Sequence, residues 1–311
     1  MNQTSAEIIK EKAIELGFTR CGIAQARPLS EEQQKFELII REGRHAQMNY
    51  LSRESEKRFS PELLFSNCKS VIVCLYHYDV NIKISSDYRI ARYAYLQDYH
   101  LFIKEKLERL ATFIHQEKGN YKITVDSSPI SEKNWAVKAG LGSIGKNSLF
   151  RSKEGSFCFI GTILTDLSFD YDMENPVECG DCTRCIDACP TQAIIRPYCV
   201  DANRCISCRT IEEKNAICPC DPDDLWIFGC DICQEVCPHN AKPFHNPDVE
   251  NYFSLFLHFK NEDFEELDKE KFDFFFKGSS LERRKFENVK REIKRVERII
   301  NQNEINKDEQ Y

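Results

Sequence analysis

The stretch Cys179-Gly180-Asp181-Cys182-Thr183-Arg184-Cys185-Ile186-Asp187-Ala188-Cys189-Pro190 decides how this chain is read. Its intervals are those of the C-x2-C-x2-C-x3-C-P run that holds four-iron clusters. Three closely spaced thiolates can serve one cluster. The fourth, set off by three residues and stopped by proline, points to a second cluster. The run therefore asks for a partner, and Cys230-x2-Cys233-x3-Cys237-Pro238 supplies it, with Cys205 upstream as candidate first ligand. Crossed pairing puts Cys179, Cys182, Cys185 and Cys237 on one [4Fe-4S] cluster and Cys189, Cys205, Cys230 and Cys233 on the other. Eight thiolates would also satisfy two zinc sites, but those favour separated CxxC knuckles. Two neighbouring clusters form a path for electrons.

Around this run the composition shifts. Of 16 cysteines in 311 residues, twelve fall between Cys179 and Cys237, while Cys21, Cys68, Cys74 and Cys158 are scattered before them. The acidic stretch FDYDMENPVE (169–178) and the proline-bearing KPFHNPD (242–248) read as linkers. They divide the chain into 1–168, a ferredoxin-like double-cluster domain at 169–247, and a C-terminal helical segment at 248–311. Cys199, Cys208, Cys218 and Cys220 remain as unassigned thiols. There is no run of about 18 apolar residues for a membrane span, and the N-terminus reads as an amphipathic helix, not a signal peptide. A cytoplasmic chain follows, in which cysteines serve metal or redox chemistry and not disulfides. A net charge of −7 excludes a protein that coats nucleic acid non-specifically.

The first segment alternates helical and extended patterns. Helices are expected over 5–16, from Asp98 to about Lys118, and from Ser131 to Ala139. Strands are expected at Val71–Leu75, Tyr121–Val125 and Phe157–Leu164. The fold class expected is α+β, with a helix-flanked mixed sheet in the first domain. From Phe286 to Ile300 apolar residues step by three and four, a strong helix pattern. Between Leu281 and Ile300 eight Lys/Arg stand against four Glu.

Several polar residues at strand and helix ends are candidates for chemistry. Asp126 follows a strand, and Asp98-Tyr99-His100 opens a helix. Taken singly, Asp126 reads as a turn former, and Arg58 and Lys146 as solvated charges. Gly140–Gly145 fits GxGxxG, but it follows a helix and not a strand, so nicotinamide binding is rejected.

In order, the strings GFTRCGIA (17–24), MNYLSRESEKRFSPELL (48–64), KSVIV (69–73), RYAYLQDYH (92–100), VDSSPISEKNWAVKAGLGSIGKNSL (125–149), RCIS (204–207) and FGCDICQEVCP (228–238) resemble the epoxyqueuosine reductase family. The resemblance implies cobalamin bound between the first domain and the clusters. It implies reduction of epoxyqueuosine to queuosine at the wobble position of tRNA. It implies Asp126 of VDSSP as general acid, with a pKa raised by burial beside the corrin. Arg58, Ser207, Cys230 and Asp231 match positions that contact cobalamin. Asp98, His100 and Lys146 are candidates for the substrate pocket. The chain departs from the family pattern at Leu96, Ser143, Cys208, Arg209 and His239, which bears on substrate identity.

The expected partners are the tRNA anticodon stem-loop and an external electron donor such as a flavodoxin or ferredoxin system. The basic 281–300 helix is one candidate docking surface, although its four interspersed glutamates favour the ordinary solvated face of an amphipathic helix. No membrane partner is expected, and the chain is expected to be a monomer. Two readings compete: a cobalamin–iron–sulfur paralogue with another substrate, and a non-catalytic ferredoxin-type carrier.

Overall fold

The computed structural model describes residues 4–79, 82, 84–213, 224–242 and 244–308. Cys218 and Cys220 lie outside them. At the centre is a four-stranded sheet, ordered Arg20–Gln25, Ser70–His77, Cys158–Thr165, Tyr121–Thr124. All eight residues of Ser70–His77 are buried. The alternation explains why: Ile72, Cys74 and Tyr76 enter one apolar cluster, and Val71, Val73 and Leu75 enter the other. A strand covered on both faces reads as a continuous β-branched run. Burying each Val or Ile there is worth about 1.5–3 kcal/mol.

Helices flank both faces, and the α+β class holds. The sheet is not mixed, however: each of its three pairings is antiparallel. Long helical excursions join the strands, and an apolar run does not reveal the direction from which the chain returns. Among the described residues the one parallel strand pair is the short contact of Arg89–Ile90 with Trp226–Phe228.

On one face lies the helix Tyr99–Gln116, which buries Ile103, Leu107, Leu110 and Ile114. Its first turn is capped by Asp98, whose carboxylate accepts the His100 N–H at 3.1 Å. On the other face lies Glu132–Lys138, packed through Trp135 and Ala136. The C-terminal helix Phe286–Asp308 sets Val289, Ile293 and Val296 into the same core as Ile103 and Tyr76. Its polar side also faces inward in places. Arg209, on the short helix after Cys205, bonds Asp224 at 2.6 Å and Glu292 at 2.5 Å, all three being buried. Among the described residues no helix is long and apolar enough to cross a membrane.

Candidate functional site

The cysteine-rich stretch folds into short helices, Arg184–Asp187 and Ile232–Glu235, which set Cys185 and Cys233 beside their neighbours. Cys179, Cys182, Cys185 and Cys237 line one gap. Cys189, Cys205, Cys230 and Cys233 line another, a cavity of about 460 Å³ that is far larger than the first. Among the described residues no three His, Cys, Asp or Glu side chains close on one point as a lone ion requires. Burial pushes the Cys233 thiol up to about 12 and raises Cys205 and Cys230 as well. Without metal these three are neutral thiols.

The larger cavity has room beyond its cysteines. Tyr93, Leu149, Phe150, Ile160 and Ile206 give it an apolar wall, and Ser207 and Asp231 join them. Burial pushes Asp231 up to about 6, partly offset by the Arg92 N–H that it accepts at 2.7 Å. Cys158, which no motif singles out, also faces this space.

Tyr93 forms part of a second depression, of about 350 Å³, with Tyr99, His100, Asp126, Glu212 and Arg283. Here the structure brings together residues that lie far apart in sequence. Asp126 has left-handed backbone (φ 52°), unusual for a residue with a side chain. Its N–H donates to Glu132 at 2.8 Å, so the first turn of the next helix fixes the bend. The Asp126 side chain is 61% exposed, but protein groups ring it. Tyr99 donates to Oδ2 at 3.0 Å, and His100 Nε2 lies 3.3 Å from the same atom. The other ring nitrogen, Nδ1, is 2.5 Å from Asp98. Asp98 therefore caps the helix and orients the imidazole at once.

These contacts set the charges. The His100 hydrogen bond, helped by Tyr99 and the Arg283 charge, outweighs desolvation and holds Asp126 below the usual carboxylate range. Burial alone would lower His100, but Asp126 and Asp98 outweigh it and push the imidazole up to about 9. This departs from the expectation of a raised Asp126. At neutral pH Asp126 is an anion, and the proton sits on His100. Arg283 Nη1 lies 3.2 and 3.3 Å from the two ring nitrogens. Both nitrogens of the protonated ring already donate to carboxylates, so this contact is a stacked guanidinium and not a hydrogen bond.

The remaining candidates separate. Lys146 does not join Asp98 and His100. It lines the outer cysteine gap and donates to the Gly180 carbonyl at 2.7 Å, because the glycine-rich turn passes into the hairpin Ser143–Ile144/Phe150–Arg151 beside the cysteines. Arg58 lies over the Phe36 ring and donates to the Tyr50 carbonyl at 3.3 Å. Its Nε is buried without a hydrogen-bond partner among the described residues. Glu132, Tyr93 and Tyr99 sat inside quoted strings without being singled out, and Arg283 lay outside every string.

Comparison with known proteins gives this geometry its setting. Residues 178–240 match the family model for a 4Fe-4S double cluster binding domain, and residues 58–127 match that of epoxyqueuosine reductase QueG, DUF1730. Together the domain and the acid–base pocket define an iron–sulfur oxidoreductase. The chain is 43% identical over 300 residues to the epoxyqueuosine reductase of Cellulophaga algicola, covering 93% of this chain and 96% of that one. It is 36% identical over 278 residues to the Escherichia coli enzyme of the same name, covering 80% of this chain and 72% of that one. A crystal structure of epoxyqueuosine reductase with an epoxyqueuosine-modified tRNA-Tyr stem loop superposes with a TM-score of 0.81 at 27% identity, covering 94% of this chain and 80% of that one. The chain belongs to the epoxyqueuosine reductase family.

Proposed function

We propose that this chain reduces epoxyqueuosine to queuosine at the wobble position of tRNA. The observation that carries the reading is the adjacency of two unlike spaces. Tyr93 lines both the cavity of the inner cysteines and the pocket of Asp126 and His100. The reaction needs both. Removing an epoxide oxygen to leave an alkene takes two electrons and two protons and releases one water. Electrons arrive singly from an external carrier through the outer tetrad (Cys179, Cys182, Cys185, Cys237) and then the inner tetrad (Cys189, Cys205, Cys230, Cys233).

Cobalamin fits the larger cavity by the chemistry of its walls. The apolar side chains suit the face of a macrocycle, while Ser207 and Asp231 offer polar contacts at its edge. When bound, it supplies a cobalt centre that accepts single electrons and delivers reducing power to carbon, which no side chain can do. The protein positions the substrate and moves the protons. The proton held on His100 Nε2 beside Asp126 Oδ2 goes to the departing oxygen, Asp126 acting as the acid that touches substrate and His100 as its supply. Tyr99, stacked on both His100 and Phe159 with ring centroids 4.2 Å apart in each case, fixes the plane of the imidazole. A tRNA substrate places the reaction in the cytoplasm, and the anticodon stem-loop is the docking element.

The test is mass spectrometry of anticodon nucleosides. Transfer RNA from cells lacking an epoxyqueuosine reductase is incubated with purified holoprotein and a low-potential reductant. Epoxyqueuosine should convert to queuosine. Its persistence in the presence of fully loaded, reducible protein would overturn the reading.

A further inference from the structure

The two tetrads differ in charge. Arg151 closes the hairpin beside the outer one, and its residue is 4% exposed. Its Nη1 donates to Cys179 Sγ at 2.8 Å and Nη2 donates to the Val177 carbonyl. Gly142 makes this approach possible, since a Cβ there would lie 2.1 Å from the Arg151 carbonyl oxygen. Lys146 and Arg184 line the same gap, and no carboxylate does among the described residues. A buried guanidinium without an anion is costly, and nothing described beside it offers one except the sulfur of Cys179. The inner tetrad has the opposite setting. Its hydrogen bond to Cys233 comes from the neutral Asn147 amide. Its wall carries the Asp231 carboxylate and also Lys133, whose ammonium is turned to the Ser148 carbonyl at 2.9 Å and donates to no cysteine in that bond.

We propose that Arg151 sets the order in which the clusters fill: acting through Cys179, it raises the reduction potential of the outer cluster above that of the inner one. Adding an electron makes a thiolate-bound cluster one unit more negative. A fixed cation hydrogen-bonded to a ligand sulfur stabilises that reduced state more than the oxidised one. The electron comes from an external one-electron carrier, which is oxidised as the outer cluster is reduced. The outer cluster then acts as a store that fills first and waits for the second electron that the reaction requires. Arg151 is a positioning residue, not a catalytic one. The inference rests on the reading of the eight cysteines as two cluster tetrads.

The experiment is a potentiometric titration of the holoprotein followed by EPR. Two reduction waves are expected. Arg151→Gln should lower the reduced-to-oxidised ratio of the higher-potential wave about tenfold at fixed potential, a shift of about 59 mV for one electron. The other wave should stay in place, and Arg151→Lys, which keeps the charge, should restore most of the difference. Equal movement of both waves, or of neither, with iron content intact overturns the proposal. If the glutamine variant loses iron, the unaltered protein still decides. In pulsed EPR the cluster reduced first must carry the nitrogen coupling of the guanidinium, and finding it on the cluster reduced second overturns the proposal. Failure of the tetrad reading itself looks different, as a reduced protein with no cluster signal.

Discussion

Two neighbouring regions of this molecule handle burial in opposite ways. In the inner cysteine cavity burial raises the acids, Cys233 to about 12 and Asp231 to about 6, because desolvation outweighs the Asn147 bond on the one and Arg92 on the other. In the Asp126 pocket, partners outweigh burial: Asp126 is lowered and His100 is raised to about 9. In the first region burial keeps the Cys233 thiol protonated at neutral pH. The second holds a separated pair of charges of its own. Reductive removal of oxygen needs both, a dry place from which electrons come and a polar place from which protons come. Tyr93 stands where they meet.

The sharpest break of this comparison is on the electron side. Cys233→Ser should lose the inner cluster and abolish turnover, with about half the iron remaining by colorimetric assay. Full turnover in that variant would mean that Cys233 is not a ligand. On the proton side, Asp126→Asn should keep all the iron and its spectrum but lower kcat by about 10²–10⁴-fold, the range for loss of a general acid. Near-normal turnover would remove Asp126 from the reaction.

The effect of His100 should be smaller and pH-dependent. The proton on His100 is lost as pH rises through about 9, so kcat should fall above that pH. His100→Gln should lower kcat about tenfold at neutral pH and erase the high-pH limb, leaving iron content unchanged. The same group links folding to pH. Its folded value lies above the ordinary 6.5, so its contribution to stability is complete below about 6.5 and lost as pH rises through 9. Thermal melts of the wild type and the glutamine variant should therefore converge at high pH. A constant gap across the range would show that the imidazole is not held charged.

What the sequence revealed follows the range of each interaction. Cysteine spacing is local, so the two groups could be paired on paper. The apolar steps of Tyr99–Gln116 and Phe286–Asp308 are local too. Asp98, His100 and Asp126 lay in recognisable strings, but a string says nothing of the field around a side chain. The lowering of Asp126 comes from His100, Tyr99 and Arg283, which lie 26 or more residues away. Arg151 and Glu132 carry no local signature, since their roles exist only once the hairpin and helix have packed. Lys146 was drawn to the wrong side for the same reason. The basic pattern of 281–300 offered either a phosphate surface or an ordinary solvated helix face, and three of its eight cations turn inward. Arg284 bonds the Glu213 carbonyl, Lys290 bonds Glu265, and Arg295 bonds Asp224 and Trp226.

That inward turn leads to the smallest expected effect. With Arg284, Lys290 and Arg295 engaged by backbone carbonyls, the exposed cations Arg283, Lys285, Lys294 and Arg298 are left for RNA phosphates. Of these, Arg283 lines the pocket. Each single-strand phosphate neutralised by a cation contributes about 0.7 to the slope of log affinity against log salt. Arg283→Gln should therefore weaken stem-loop binding only a few-fold and reduce the slope by about one contact. It should also ease Asp126 upward, because the guanidinium helps to hold that carboxyl down. Filter binding at several salt concentrations separates the possibilities. An unchanged slope would mean that Arg283 serves the pocket alone, through its stack on His100. A slope lost by several contacts would mean that the helix presents more free charge to RNA than its internal bonds allow.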